Sequence, residues 1–150
     1  MTDIISPEER SKNMSAIRSK NTSPEIFFRK WLFNRGYRYS LHSKKLPGHP
    51  DLYMKKYNTA IFIHGCFWHR HSGCKYSYTP KSHVEKWNQK FSNNISRDNE
   101  VRVQLHNMGV KVLVIWECSI KEMKKDPVIL DKNMKKVEEF LHAENSFMEI

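Results

Sequence analysis

A short segment rich in cysteine and histidine, residues 64–74 with the sequence HGCFWHRHSGC, restricts the folds open to this chain. Cys66, His71 and Cys74 follow the spacing Cys-x4-His-x2-Cys, which lets one loop present three soft ligands to a single ion. A closed tetrahedral zinc site needs a fourth ligand, and Cys118 is the only other cysteine in the chain. These residues predict a Cys3His site that stabilises the fold and does not itself catalyse.

Two other interpretations of the cysteines remain open. Free cysteine packs as a small hydrophobe, so the three thiols can be ordinary core side chains. The loop between Cys66 and Cys74 is polar and has glycines at positions 65 and 73, which favours metal ligation over that alternative. A disulfide is disfavoured, because an odd number of cysteines leaves one thiol unpaired and nothing at the amino terminus resembles an export signal.

The positive charge of the chain is unevenly distributed. The net charge is +10, and residues 101–150 contribute none of it, with eight basic and eight acidic side chains. The excess in residues 1–100 predicts a polyanionic partner, of which nucleic acid is the commonest. A basic protein with a solvated charged face is the alternative.

Length and hydropathy predict one domain that spans residues 1–150. The chain has 39% hydrophobic residues, enough for a modest core. No apolar run approaches the roughly 20 residues that cross a membrane. We therefore expect a cytoplasmic protein without a membrane segment, and a monomer.

The order of helix and strand signals predicts an α/β fold, with helices around one mixed sheet. Ser6-Pro7-Glu8-Glu9 and Ser23-Pro24-Glu25 both combine a cap, a proline and an early glutamate, which are helix-start signals. The basic residues 10–20 between them predict an arm that becomes ordered on a partner. The second helix stops at Arg35-Gly36, and the later segments are strands at 37–41, 51–54, 59–63 and 110–118 and helices at 82–107 and 126–142.

Acidic and imidazole side chains at the ends of these elements suggest a hydrolytic site. Asp51 begins one predicted strand and His64 ends the next, so a hairpin can bring them together. Glu25 at a helix start, His69 in the metal loop and Asp98 in the long helix can add oxygen ligands for Mg²⁺ and a base. That combination suits phosphodiester hydrolysis. A strand-edge aspartate without a catalytic role is the alternative for Asp51.

Three aromatic residues lie where burial in a main core is difficult. Phe67 and Trp68 are consecutive residues of the metal loop, and Trp87 begins the long predicted helix. On a basic protein, such side chains can stack on bases or wedge between them. A small satellite core around the zinc site is the alternative, and it is favoured for Trp87.

Several stretches of this chain resemble the very short patch repair (Vsr) endonucleases. The resemblance covers roughly residues 10–120 in order and with similar spacing. It rests on AIFIHGCFWHRHSGC at 60–74, LPGHPDLY at 46–53, NISRD at 94–98, VKVLVIWEC at 110–118 and RSKNMSAIRSKNTSPE at 10–25. It implies a restriction-endonuclease-like fold and an enzyme that nicks DNA on the 5′ side of the thymine in a T:G mismatch. Such mismatches arise when 5-methylcytosine deaminates.

The resemblance also implies roles for individual residues. Asp51 is expected to bind Mg²⁺ together with the backbone carbonyl of Ile63, and His69 to act as general base. The remaining hydrolytic residues are expected to be His64, Asp98 and Glu25. The implied zinc ligands are Cys66, His71, Cys74 and Cys118, and the implied intercalating side chains are Phe67, Trp68 and Trp87. The implied partners are duplex DNA with a T:G mismatch and mismatch-repair proteins, in the nucleoid.

Two departures from the family pattern concern the metal sites. Ile63 stands where the best-known members have threonine, and Ser72-Gly73 adds one residue to the zinc loop. Two other functions compete with the endonuclease. One is a zinc-stapled DNA-binding module without nuclease activity. The other is a zinc hydrolase of small substrates, which would need an open coordination position at the zinc.

Overall fold

The computed structural model describes residues 21–150, and the predictions for residues 1–20, including the first helix start and the whole basic arm, lie outside that range. In chain order its elements are α1 (Ser23–Asn34), β1 (Ser40–Leu41), β2 (Leu52–Met54), a 3-10 helix (Lys55–Tyr57), β3 (Thr59–His64), α2 (Val84–Asn107), β4 (Lys111–Trp116), α3 (Glu117–Lys125), α4 (Pro127–His142) and β5 (Phe147–Glu149). None of these helices is both long and apolar enough to cross a membrane.

The five strands form one mixed sheet in the order β1-β2-β3-β4-β5. β2 runs antiparallel to both of its neighbours, β1 and β3, and the register of β2 and β3 pairs Leu52 with Ile61. β4 is parallel to both β3 and β5, and His64 pairs with Trp116 at the ends of β3 and β4. The carboxyl ends of β3 and β4 therefore meet at one edge of the sheet, where the metal loop begins.

Helices cover both faces of the sheet and bury two apolar clusters. One cluster packs α1, α3 and α4 against side chains such as Leu52, Ile61 and Leu113. The other packs α2 against alternate residues of the same strands, such as Phe62 and Val114. Successive side chains of a strand point to opposite faces, so both sets come from the same continuous apolar runs. The predicted α/β fold, with a central mixed sheet flanked by helices as in restriction endonucleases, is confirmed.

Helices begin at two of the predicted places, but the cap of the first is one residue before the predicted Ser23. At α1 the cap is Thr22, whose hydroxyl accepts a hydrogen bond from the Glu25 N–H at 3.4 Å. At α4 the carboxylate of Asp126 accepts one from the Val128 N–H at 2.9 Å, and Pro127 is the first helical residue. Both caps satisfy backbone donors that a helix leaves unpaired. The position of α1 matters most, because it carries Glu25 into the interior.

The expectation that Cys118 ends a strand is wrong. β4 stops at Trp116, and Cys118 lies in the first turn of α3. The chain turns into a helix here because Ile120 and Met123, three residues apart, bury their side chains in the core beneath α1 and α4. Cys118 still reaches the metal loop, since a helix that starts at the strand end keeps its first turn at that edge.

Other differences concern strand lengths and the exposed side of α2. Only Ser40–Leu41 of the predicted strand 37–41 pairs, and the edge strand β5 was not predicted. α2 begins at Val84, and of the apolar side chains spaced three or four residues apart in its first half, Val84, Trp87, Phe91 and Ile95, only Phe91 is buried. Val84 and Ile95 are exposed by 41% and 44%. A long helix that covers one face of a small sheet carries more apolar side chains than the sheet can bury.

Gly48, in the turn before β2, is expected to tolerate no side chain. Its φ is +76°, and a Cβ there would lie 2.5 Å from Cγ1 of Val101 on α2. The left-handed conformation costs roughly 1–2 kcal/mol for a residue with a Cβ, and overpacking adds about 1–3 kcal/mol. Denaturant unfolding of Gly48→Ala should therefore show a loss near the sum of both effects.

Gly109 provides the matched control for that measurement. Its φ is +74°, but a Cβ there would have no neighbouring atom within 4 Å. In Gly109→Ala the free energy of unfolding should fall only by the cost of placing a residue with a Cβ in the left-handed conformation. Equal losses in the two variants would contradict the close packing of the turn against α2.

Candidate active site and metal cluster

The four predicted zinc ligands converge at the carboxyl edge of β3 and β4. The Sγ atoms of Cys66, Cys74 and Cys118 and a ring nitrogen of His71 all lie within 4.8 Å of one another. His71 Nδ1 faces the thiols, at 3.4 Å from Cys118 Sγ and 3.7 Å from Cys66 Sγ. Three thiols and one imidazole form the donor set of a closed structural zinc site. The residues therefore fit the ion, and this set leaves no open coordination position for a substrate.

The surroundings of the cluster set the protonation of its thiols and the direction of its imidazole. Burial raises the pKa of Cys66 to about 12 and also raises that of Cys118, so without a cation both remain protonated. The His71 ring stacks on Trp116 at 4.2 Å, which fixes the direction of its Nδ1. The indole Nε1 of Trp116 is buried and has no hydrogen-bond partner within residues 21–150.

A second cluster joins Glu25, His42 and Asp51, whose ligand atoms also lie within 4.8 Å of one another. Glu25 is only 1% exposed. Its Oε2 accepts hydrogen bonds from Arg29 at 2.7 Å and from His42 Nε2 at 2.9 Å. Its Oε1 accepts one from the backbone of Asn21 at 3.1 Å. A buried carboxylate needs such donors, and α1 and the segment after β1 provide them.

Asp51 precedes β2 and points at the adjacent strand. Its Oδ2 accepts a hydrogen bond from the Ile63 N–H at 2.7 Å. Burial and, to a smaller extent, the nearby Glu25 raise the pKa of Asp51 to about 6, against the opposing effect of the Ile63 hydrogen bond. The Ile63 side chain packs into the core beneath α1 and α4, so only its backbone faces Asp51. Isoleucine therefore leaves a backbone carbonyl available at this position.

The third cluster contains His64, His69 and Asp98. His69 Nδ1 lies 2.7 Å from Asp98 Oδ2, and this bond joins the metal loop to α2. The rings of His64 and His69 are stacked, with centroids 3.8 Å apart and planes 4° apart. Burial lowers the pKa of His64 to about 3, so its ring is neutral at physiological pH. A neutral ring held over His69 limits how His69 can rotate.

The two histidine–carboxylate clusters share one groove of about 860 Å³. Asp51, His64, His69 and Asp98 all line it, together with His42, while Glu25 lies behind the lining. The groove also has a basic lining, formed by Lys44, Arg70, Arg97 and Arg102. A groove with positive walls around carboxylates and imidazoles suits a phosphate backbone.

The three predicted intercalating residues form one half-buried aromatic group. Phe67 lies 5.1 Å from Trp68 and 5.5 Å from Trp87, and Trp68 lies 5.9 Å from Trp87, measured between ring centroids. The buried Phe91 packs beneath Phe67 and Trp87. Lys90 Nζ lies 4.7 Å from the Trp68 ring. One side of the aromatic group packs on Phe91, as expected for a satellite core. The other side is partly exposed and lies beside Lys90, as expected for residues that stack on DNA bases.

The structure brings together all the residues predicted for the hydrolytic site, in two neighbouring clusters rather than one. Sequence reasoning missed His42, which bonds to Glu25, and nothing in the pattern Leu41-His42 distinguishes it from other polar residues. It also missed Arg70, whose guanidinium donates to backbone oxygens of Phe67, Ser77 and Tyr78 and so closes the metal loop. A positive φ of 55° at Arg70 accompanies this turn.

Comparison with known proteins gives one consistent result. The family model described as DNA mismatch endonuclease Vsr matches residues 2–75. The type II nicking enzyme V.NmeAIP of Neisseria meningitidis serogroup A is 45% identical over 121 residues, covering 81% of this chain and 86% of that protein. The type II nicking enzyme V.XorIIP of Xanthomonas oryzae is 42% identical over 123 residues, covering 82% and 90%.

A third relative is the DNA mismatch endonuclease Vsr of Escherichia coli K12. It is 35% identical to this chain over 125 residues, which cover 83% of the chain and 80% of the relative. The similarity thus extends well beyond residue 75 in all three relatives.

Proposed function

Because this chain belongs to the DNA mismatch endonuclease Vsr family, we propose that it is a Mg²⁺-dependent endonuclease that nicks one strand on the 5′ side of the thymine in a T:G mismatch. The observation that carries the proposal is the pair of histidine–carboxylate clusters along one basic groove. The nick would begin very short patch repair of deaminated 5-methylcytosine.

His69 is suited to be the general base of this reaction. Its Nδ1 is engaged by Asp98, so Nε2 is the nitrogen left to accept a proton from the attacking water. Asp98 orients the ring and stabilises the imidazolium that forms. His64, neutral and stacked on His69, keeps the ring in place. The products would be a 3′-hydroxyl and a 5′-phosphate.

Asp51 and the backbone carbonyl of Ile63 would bind the catalytic Mg²⁺, with Glu25 close behind. Carboxylate and carbonyl oxygens are the ligands that this cation prefers. When bound, Mg²⁺ supplies Lewis-acid polarisation of the scissile phosphate. The raised pKa of Asp51 fits this role, because a carboxylate disfavoured by burial and by Glu25 gains most from a cation.

Recognition of the mismatch is assigned to the aromatic group. Phe67, Trp68 and Trp87 would enter the base stack, and the Cys3His cluster would fix the loop that carries the first two. Unstacking of base pairs costs a few kcal/mol and costs least at a mismatched step, so insertion of these side chains itself favours mismatched DNA. Lys44, Arg97 and Arg102 would contact the phosphates along the groove. We further propose a monomer in the nucleoid, with mismatch-repair proteins as additional partners.

A nicking assay on mismatched duplexes tests the proposal. The substrate is a pool of labelled duplexes with one central T:G pair and randomised flanking base pairs, compared with the matched T:A and C:G pools. With Mg²⁺ we expect a nick 5′ of the thymine, at least about tenfold faster than in either matched pool, since one base-pair difference is worth about 1–3 kcal/mol. Chelation of Mg²⁺ should stop the reaction.

Two outcomes would contradict the proposal in different ways. Equal nicking of the matched pools would refute the mismatch specificity but keep the endonuclease. Binding of the T:G pool without any Mg²⁺-dependent nicking would refute the endonuclease and favour a zinc-stapled DNA-binding module.

A further inference from the structure

His42 is a groove residue with an unusual backbone and two bonds to the acidic pair. It follows β1 with a φ of +48°, a left-handed conformation that residues other than glycine seldom adopt. Its backbone N–H donates to the carbonyl oxygen of Asp51 at 3.1 Å. Its side chain donates from Nε2 to Glu25 Oε2 at 2.9 Å, because a carboxylate offers only acceptors.

These contacts connect Glu25 and Asp51, which come from separate elements. Glu25 is on α1 and Asp51 precedes β2, and no hydrogen bond joins the two carboxylates directly in the described range. His42 bonds to both residues, and its ring atom lies within 4.8 Å of a carboxylate oxygen of each. Strained backbone persists only where surrounding contacts require it, and these two bonds are such contacts.

From this geometry we infer that His42 is a positioning residue that sets the distance between the Glu25 and Asp51 carboxylates and so determines the affinity of the Asp51 site for Mg²⁺. The inference rests on the proposed function, because it concerns the ion that the nicking reaction needs. Partners that orient a metal ligand from behind typically change metal affinity by about 10–100-fold when they are removed.

A set of three variants tests this role. His42→Asn keeps a residue that tolerates the left-handed backbone but is too short to reach Glu25. His42→Gln keeps a donor of sufficient length. His49→Asn is the matched control, because His49 lines the same groove with a φ of +46° and its side chain makes no hydrogen bond within residues 21–150.

The main readout is Mg²⁺ binding by isothermal titration calorimetry without DNA. We expect His42→Asn to weaken Mg²⁺ binding by about tenfold or more, with His42→Gln close to wild type and His49→Asn unchanged. In the nicking assay, His42→Asn should require more Mg²⁺ for half-maximal rate, and its Kd for mismatched DNA should stay at the wild-type value.

The outcomes separate this inference from the proposed function. Unchanged Mg²⁺ affinity in His42→Asn, with an active wild type, would overturn the role of His42 alone. A lower Tm of His42→Asn with unchanged affinity would likewise overturn it, since that is the signature of a purely structural link. A wild type that neither binds Mg²⁺ nor nicks would overturn both proposals.

Discussion

Asp51→Asn is expected to produce a protein that binds mismatched DNA, does not nick it, and is more stable than the wild type when Mg²⁺ is absent. Asparagine keeps an oxygen that can accept the Ile63 N–H bond, so the local geometry survives. It removes the charge that the proposed metal site requires. Several kcal/mol of transition-state stabilisation depend on that metal, so the nicking rate should fall by about 10³-fold or more.

The gain in stability follows from the raised pKa of Asp51. The pKa of this carboxyl is about 6 in the folded chain against an ordinary value of 3.8. Between these pH values the folded state therefore binds the proton more tightly than the unfolded state does. The free energy of unfolding contributed by Asp51 therefore falls as the pH rises from 3.8 to 6 and stays low above 6. Asparagine does not titrate, and it should add about 1–3 kcal/mol above pH 6 and nothing below pH 4.

Urea unfolding in chelator at several pH values measures this effect. Glu138→Gln is the control, because hydrogen bonds from Tyr37 and Arg35 lower the pKa of Glu138, the opposite of Asp51. Glu138→Gln should lose stability at neutral pH and keep full nicking activity. A destabilised Asp51→Asn, or one that still nicks at the wild-type rate, would contradict the assignment of Asp51.

Cys118→Ala is expected to destabilise the protein by about 3 kcal/mol or more and to release its zinc. Removal of one ligand opens a closed Cys3His site, and the binding free energy of a structural zinc contributes directly to folding. The four donors lie within 4.8 Å of one another, so removal of one leaves three protein ligands and a fourth position that only water can fill. Metal content by mass spectrometry and thermal unfolding with and without chelator provide the two measurements.

Ser72→Ala is the matched variant for this experiment. Ser72 is an exposed residue of the same loop and is not among the four ligands. It should keep one equivalent of zinc and an unchanged Tm. If the wild type contained no zinc and chelator left its Tm unchanged, the cysteines would be core thiols, as in the alternative interpretation.

The sequence identifies the chemistry of the site more completely than its arrangement. Cys66, His71 and Cys74 are close in the chain, so their spacing alone predicts that they converge. The hairpin that brings Asp51 to the end of β3 was also predictable, because in an antiparallel pair the first strand begins beside the point where the second ends. Glu25 was identifiable as a helix-start residue, but its burial depends on how α1 packs on the sheet.

The features that sequence analysis missed depend on contacts between distant elements. The helix at Cys118 is set by burial of Ile120 and Met123 against α1 and α4, which a local strand pattern cannot indicate. His42 acquires its role from the pairing of β1 with β2 and from α1, and none of these contacts leaves a signature at position 42. The conformation and contacts of such residues are determined by tertiary packing, in addition to local propensity.

The position of the Cys3His cluster has a consequence for the kinetics of unfolding. Three ligands follow β3 directly, whereas Cys118 arrives only after the whole of α2 and β4. The loop alone can capture an ion early, but the fourth bond forms only when β4 lies beside β3. If β4 docks on β3 only after the folding transition state, this fourth bond slows unfolding and leaves the folding rate nearly unchanged. A bound zinc ion would then lengthen the lifetime of the folded protein by slowing its unfolding.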